Sequence, residues 1–138
     1  MDSTPPPTAA TAASRRAERR LRSKLPDGEA IVAWSQGWVS RDGRLRMVAA
    51  RTLDYVVITD RRLYLFTTGF FTRRPRRCVY AQSLARLRAA ERPAGRGRHL
   101  RLESPDHRPL LIDLRRRARS DTLADEVLAR TRADQETP

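Results

Sequence analysis

The sequence predicts a mainly β protein of the α+β class. About seven antiparallel strands form a bent sheet or partly open barrel, and one C-terminal helix packs on it. Two observations favour this fold. Between residues 29 and 114 the chain has short runs rich in Val, Ile, Leu and aromatic residues, separated by clusters of Gly, Pro, Asp and Ser. After them comes one segment with apolar residues at helical spacing, and a lone amphipathic helix must bury that stripe against the sheet.

A disordered tail and a basic helix are expected before the sheet. Residues 1–11 are rich in Pro, Thr and Ala and cannot bury a core, which is typical of disorder. Residues 12–25 favour a helical arm with a thin apolar stripe of Ala17, Leu21 and Leu25. This arm either lies over the domain or folds only on a partner. Pro26-Asp27-Gly28 then ends it.

The folded domain is expected over residues 26–132. Its strands are predicted at residues 30–39, 54–59, 62–67, 78–81, 83–89, 99–103 and 110–114. Only two residues separate the second strand from the third, which indicates a hairpin. Residues 45–51 fit either a strand or part of a long loop. In the sixth strand Leu100 and Leu102 alternate with charged residues, as expected where one face of a strand is buried.

The C-terminal helix is predicted to begin at Ser120, and residues 133–138 form a tail. Ser120 is a favourable N-cap, and the acidic residues of the first turns and the arginines of the last suit the helix dipole. One side of this helix is apolar: Leu123, Ala124, Val127 and Leu128. We expect Leu123 and Val127 to face the sheet.

Two short motifs carry a resemblance to a known family. The segment Val57-Ile-Thr-Asp-Arg-Arg-Leu63 resembles the V-x-T-D-R-R-L strand-turn-strand of small bacterial pleckstrin-homology-like (PH-like) and GRAM-like domains. Leu25-Pro-Asp-Gly-Glu29 resembles the L-x-x-G-E that precedes their first strand. The resemblance covers about residues 25–132. It implies a PH-like fold of seven strands and one helix, which in many members serves as an adaptor at membranes or in protein assemblies.

Positive charge dominates the composition. The 138 residues include 29 Lys and Arg against 16 Asp and Glu, a net charge of +13, and Lys24 is the single lysine. A GC-rich genome can explain arginine in place of lysine, but it does not explain the surplus over acids. Such a surplus attracts polyanions, and guanidinium groups bind phosphate in a bidentate geometry. The composition therefore favours lipid head groups or nucleic acid as partners.

Candidate residues for an enzyme are few. Catalysis requires a nucleophile with a base, or paired acids, in one cleft. The two histidines, His99 and His107, lie at a strand end and in a turn, and we expect both to be exposed and without a role. Cys78 is expected to be a small core residue. One cysteine and two separated histidines do not make a metal site. We expect no catalysis, no metal and no cofactor.

Three groups of arginines are the candidate anion-binding residues. The loop after the first strand has Arg41, Arg44, Arg46 and Arg51, where eukaryotic PH domains that bind phosphoinositides are rich in lysine. The segment after the hairpin has Arg73, Arg74, Arg76 and Arg77. The basic arm has Arg15, Arg16, Arg19, Arg20 and Arg22. The alternative is a solvated surface, but the density of the second group favours binding.

Three aromatic residues are candidates for contact with a membrane or partner. Phe70 and Phe71 lie in the loop before the second arginine group, and an apolar tip with cationic flanks is suited to an anionic bilayer. The alternative is that one or both rings pack in the core. Trp34 and Trp38 share one face of the first strand. We expect Trp34 in the core, whereas Trp38 lies in the core or at its rim.

Together these features predict an adaptor that docks on an anionic membrane surface or an acidic protein partner through arginine-rich loops. A protein that binds the phosphate backbone of RNA or DNA, and a subunit of a larger assembly, are the alternatives. No apolar run reaches the ~18–20 residues of a membrane-spanning helix, and the N-terminus does not resemble a signal peptide. The lone cysteine suits a reducing compartment. We expect a cytoplasmic protein that lies at the inner face of the membrane, and its oligomeric state is left open.

Overall fold

One antiparallel sheet of seven strands, with a helix before it and a helix after it, makes up the described part of the chain. The computed structural model describes residues 9–40, 51–69, 71–92, 97–115 and 117–135. The elements are α1 (Ala9–Ser23), β1 (Ile31–Ser40), β2 (Arg51–Thr59), β3 (Arg62–Thr68), β4 (Pro75–Ser83), β5 (Arg88–Arg92), β6 (Arg98–Ser104), β7 (His107–Leu114) and α2 (Ala118–Gln135). The spatial order β4-β3-β2-β1-β7-β6-β5 leaves the sheet open, with β4 and β5 at its edges. The predicted mainly β, PH-like fold class is confirmed.

Helices cover both faces of the central strands. On the inner face, buried residues of every strand pack with Leu123, Val127 and other residues of α2, as predicted. On the outer face, a second cluster forms against α1. Alternate residues of β2 therefore belong to different cores: Val56 and Ile58 lie inside, whereas Tyr55 and Val57 lie outside. This explains the continuous apolar run of β2, because a strand buried on both faces has no solvent side.

The basic arm is the helix α1, and it lies over the domain. Its apolar stripe is thin, but Leu21 is fully buried and Leu25 nearly so. They pack with Trp34, Tyr55, Val57, Tyr64 and Phe66 on the outer face. The structure thus shows the first of the two predicted alternatives, in which the arm lies over the domain and does not need a partner to fold. The helix begins at Ala9, three residues earlier than predicted, and residues 1–8 lie outside the described residues.

The two motifs of the family resemblance contact each other at one end of the sheet. The Glu29 side chain is fully buried and forms an ion pair with Arg62. Its Oε2 accepts hydrogen bonds from Tyr64 Oη (2.7 Å) and Thr59 Oγ1 (3.0 Å). Thr59 Oγ1 in turn accepts from the backbone N–H groups of Arg61 (3.1 Å) and Arg62 (3.0 Å), which closes the β2–β3 turn. Burial raises the pKa of the Tyr64 hydroxyl, so it stays a donor to the carboxylate.

Two predictions about element boundaries are wrong. Ser120 is not the N-cap of α2, because Asp121 N already donates to Arg117 O (2.8 Å) and the helix begins at Ala118. The Ser120 hydroxyl instead lies 2.9 Å from the Ser35 hydroxyl of β1. Residues 83–89 are not one strand, since Leu84–Arg86 form a single 3₁₀ turn before β5. Leu84 and Leu87 are both buried, and a 3₁₀ turn brings residues three apart to the same side.

Cys78 also differs from its expected place. It is exposed on β4, an edge strand, rather than buried in the core. The pairing of β3 with β4 is irregular on both sides of Phe66, which is the partner of Cys78. Such irregularities re-aim side chains along a strand, so alternation alone does not predict which of them turn inward.

Replacing Leu123 with alanine should test the docking of α2. The side chain is fully buried between the helix and the sheet, and such large-to-small changes cost about 2–5 kcal/mol. Urea unfolding should show this loss, while the exposed Thr122→Ala changes stability little. A loss under about 0.5 kcal/mol for Leu123→Ala, the range of surface substitutions, would contradict the packing of α2.

Replacing Thr59 with valine should test the junction at Glu29. Valine keeps the shape of this fully buried side chain but removes the oxygen that serves Arg61 N, Arg62 N and Glu29. Buried groups left without partners cost about 1–3 kcal/mol, so the free energy of unfolding measured with urea should fall by about this amount. The control is Thr52→Val, at an exposed position of the same strand. Equal stability of the two variants would show that the junction contributes nothing.

Candidate anion-binding surfaces

The connection between β3 and β4 forms a tight, well-anchored tip. Gly69 N donates to Arg74 O (2.8 Å), and Arg73 N donates to Gly69 O (2.9 Å). Tyr55 Oη, from the outer face of β2, donates to Arg73 O (2.6 Å). Arg73 has a φ of 54°, which is uncommon for a residue other than glycine. These bonds hold Arg73 in this conformation, and burial raises the pKa of Tyr55, which keeps its hydroxyl a donor.

An exposed aromatic ring and four arginines lie at this tip. The Phe71 side chain is 92% exposed, so this ring is not part of the core. Arg73, Arg74, Arg76 and Arg77 are all exposed. Among the described residues, none of these four forms an ion pair with an acid. The tip, defined here as residues 71–77, therefore combines apolar surface with uncompensated positive charge.

A cavity opens on the outer face where β1 separates from β7. These strands pair only from Trp38 to Ser40. The earlier part of β1, from Ile31 to Gly37, therefore has β2 as its one neighbouring strand. The first turn of α2 approaches the gap, and its Ser120 contacts Ser35 there. The cavity has a volume of about 670 Å³ and is bounded by β1, the start of α2 and the tip. We call it the outer cavity.

Four arginines from separate parts of the chain line the outer cavity. They are Arg73 from the tip and Arg115, Arg117 and Arg119 from the connection to α2 and its first turn. Both tryptophans also line it. The guanidinium carbon of Arg119 lies 4.0 Å from the centroid of the Trp34 ring, a cation–π contact. Trp38 is 39% exposed and supplies a flat apolar wall.

Among the described residues that line the outer cavity, Asp113 is the one acid, and it already has partners. Its Oδ2 lies 3.2 Å from Arg51 Nη1, and its Oδ1 lies 3.0 Å from His99 Nε2. Two buried polar atoms of lining residues have no hydrogen-bond partner among the described residues: Trp34 Nε1 and Thr68 Oγ1. Within the described part of the chain, the cavity is thus lined by four arginines that form no ion pair and by two residues with an unsatisfied buried polar atom.

The remaining candidates have separate locations. Arg51, at the start of β2, is held by Asp113. Arg41, Arg44, Arg46 and Phe70 lie outside the described residues. On α1, Arg15, Arg16 and Arg19 are exposed, Arg20 is half-buried, and Arg22 pairs with Glu18 (3.3 Å). His99 was expected to be exposed and without a role. It is half-buried and contacts Asp113, because β6 pairs with β7 at these two residues.

Arg115, Arg117 and Arg119 were not among the site residues predicted from the sequence. The signal was present as the run Leu114-Arg-Arg-Arg-Ala-Arg119, which is as dense as the group at 73–77. It lies between a strand and a helix, where a charge run is easily taken for a solvated connection. That it faces Arg73 and the tryptophans depends on the path of β1 and β7 in space.

In the described residues no group of three or more His, Cys, Asp and Glu side chains is placed to hold a metal ion. Within that same part of the chain, neither helix is long and apolar enough to cross a membrane.

Comparison with known proteins agrees with the fold. The hSac2 domain from the human phosphoinositide phosphatase Sac2 superposes with a TM-score of 0.52 at 14% sequence identity, over 91% of this chain and 84% of that one. At this identity the similarity concerns the fold alone. No protein-family model and no curated protein matches the sequence.

Proposed function

We propose that this protein is a non-catalytic adaptor of the bacterial PH-like family that docks on an anionic membrane surface through its tip. The proposal rests on the exposed Phe71 ring beside four exposed arginines that form no ion pair with an acid of the described residues. A large apolar side chain that is almost fully exposed is costly in water unless it meets an apolar phase. We place the protein in the cytoplasm, at the inner face of the membrane.

The arginines and the aromatic ring of the tip contribute to the binding free energy in different ways. Basic residues near an anionic surface contribute roughly 1 kcal/mol each, and salt screens this attraction. The aromatic ring inserts at the headgroup level and contributes apolar binding free energy, which salt does not weaken. Backbone and Tyr55 hydrogen bonds fix the tip before it meets the surface. Docking therefore needs little ordering of the loop, which lowers its entropic cost.

A membrane explains the tip better than nucleic acid does. A phosphate backbone needs the arginines but gains from Phe71 only if a base stacks on it. The hSac2 domain, which has a similar fold, comes from a phosphoinositide phosphatase, so a fold of this kind occurs in a protein that acts on lipid. An acidic protein partner requires complementary surface around the tip, and nothing in the tip is specific for one.

Vesicle sedimentation should separate the two halves of the tip. On vesicles of phosphatidylcholine and phosphatidylglycerol, Phe71→Ser should weaken binding at every salt concentration without changing stability, because the ring is exposed. Arg76→Ser/Arg77→Ser should weaken binding at low salt and flatten its salt dependence. The matched control is Lys24→Ser/Arg61→Ser, which removes two exposed charges, one of them (Arg61) at the β2–β3 turn, the opposite end of β3.

Three outcomes decide against membrane docking. Wild-type protein that stays in the supernatant with anionic vesicles contradicts it directly. Equal losses for the tip and control pairs mean that net charge alone drives binding. A single-stranded oligonucleotide bound in high salt, with no response to Phe71→Ser, favours the phosphate-backbone alternative.

A further inference from the structure

We infer that the outer cavity is a binding site for a compact organic phosphate with more than one phosphoryl group. This site is separate from membrane docking, and it stands whether or not the tip inserts into a bilayer. Arg115, Arg117 and Arg119 take no part in the tip, and Arg73 is the one residue that the two surfaces share.

Charge is the first argument. Four of the described arginines line one concave space, and Asp113, the acid among the described lining residues, is already held by Arg51 and His99. Like charges that share a concavity repel one another, and low-dielectric walls strengthen the field at its centre. An anion in the cavity converts this repulsion into attraction. Guanidinium groups on several sides suit tetrahedral phosphoryl groups, each of which accepts a bidentate pair.

Unsatisfied polar atoms are the second argument. The indole N–H of Trp34 can only donate, and it is buried without an acceptor among the described residues. Thr68 Oγ1 is also buried and has no hydrogen-bond partner among the described residues. Buried polar groups normally have a partner, and such exceptions require an explanation. A phosphate oxygen is an acceptor that either group can use.

Size and apolar surface are the third argument. The volume of about 670 Å³ is more than a single phosphate ion fills. It lies within the roughly 300–1,000 Å³ of small-molecule sites. The indole of Trp38 gives the cavity an apolar wall on which a ring or carbon chain can pack. The ligand therefore has an organic part beside its phosphoryl groups.

Intrinsic fluorescence measures this site directly, because the chain has two tryptophans and both line the outer cavity. A ligand that draws Arg119 from the Trp34 ring changes the surroundings of that indole. We would titrate the full chain with pyrophosphate and with inositol hexakisphosphate at constant ionic strength. The expected result is a saturable change in emission for both probes, which sodium chloride does not reproduce.

The variant Arg115→Ser/Arg117→Ser removes two exposed lining charges. Serine suits position 117, whose carbonyl accepts the first hydrogen bond of α2. Loss of two charge-assisted contacts should weaken binding by at least about tenfold. Lys24→Ser/Arg61→Ser loses the same charge at exposed positions outside the cavity lining and should bind like the wild type. A thermal melt of each variant confirms that it is folded.

Two outcomes overturn the inference: neither probe gives a saturable change, or the two double variants bind equally. The source of the phosphate is distinguished with vesicles of phosphatidylcholine that contain either cardiolipin, whose headgroup has two phosphoryl groups, or phosphatidylglycerol, which has one, at equal total lipid charge. A preference for cardiolipin that Arg115→Ser/Arg117→Ser abolishes and pyrophosphate displaces assigns a lipid headgroup to the cavity. Binding of the soluble probes without that preference assigns a free metabolite. Soluble binding without any membrane binding supports the cavity and contradicts the tip.

Discussion

The buried carboxylate of Glu29 organises one whole end of the sheet. It binds Arg62, Thr59 and Tyr64, and so joins the entry to β1 to the turn between β2 and β3. Asp60 adds a second tie, because its Oδ1 accepts a hydrogen bond from Ala30 N (3.1 Å). A buried carboxylate is tolerated only when hydrogen bonds and a counter-charge satisfy it. The residues of both family-like motifs are those that meet these needs, so the motifs describe a structural junction and specify no ligand.

This junction sets the geometry of the outer face. With the β2–β3 hairpin fixed to β1, the side chains of Trp34, Tyr55 and Tyr64 lie together. Leu21 of α1, and Leu25 just after the helix, cover most of them. Trp38 lies outside the cluster that packs against the helix. β7 pairs with β1 from Trp38 to Ser40 and separates from the part of β1 that precedes Trp38. The outer cavity forms in the space between the end of this cover and the start of α2. Its position follows from how far each element extends.

Many of the acids are used in structural ion pairs, and this determines where the positive charge remains. Arg98 binds Glu91 through two hydrogen bonds (2.7 and 2.9 Å) and also Asp125 (2.7 Å), which fastens β6 to β5 and α2. The hydrogen bond to Glu91 is the main cause of the raised pKa of Arg98. Acids are engaged at Arg51, Arg62 and Arg98, whereas in the described part of the chain the arginines of the tip and of the outer cavity have no acid partner.

Periodicity and turn residues are local signals, so they were enough to predict the class of fold, most of the strands, and the C-terminal helix with its buried stripe at Leu123 and Val127. The sequence also located the tip, where Phe71 and four arginines are neighbours along the chain. Contacts between distant segments were needed to show that α1 packs on the outer face, that Cys78 is exposed, and that Ser120 lies inside α2 and contacts Ser35 of β1. The tertiary structure also decided the outer cavity, because Arg73, Arg119 and Trp34 meet there through strand pairing between distant segments. No local pattern encodes where β1 separates from β7.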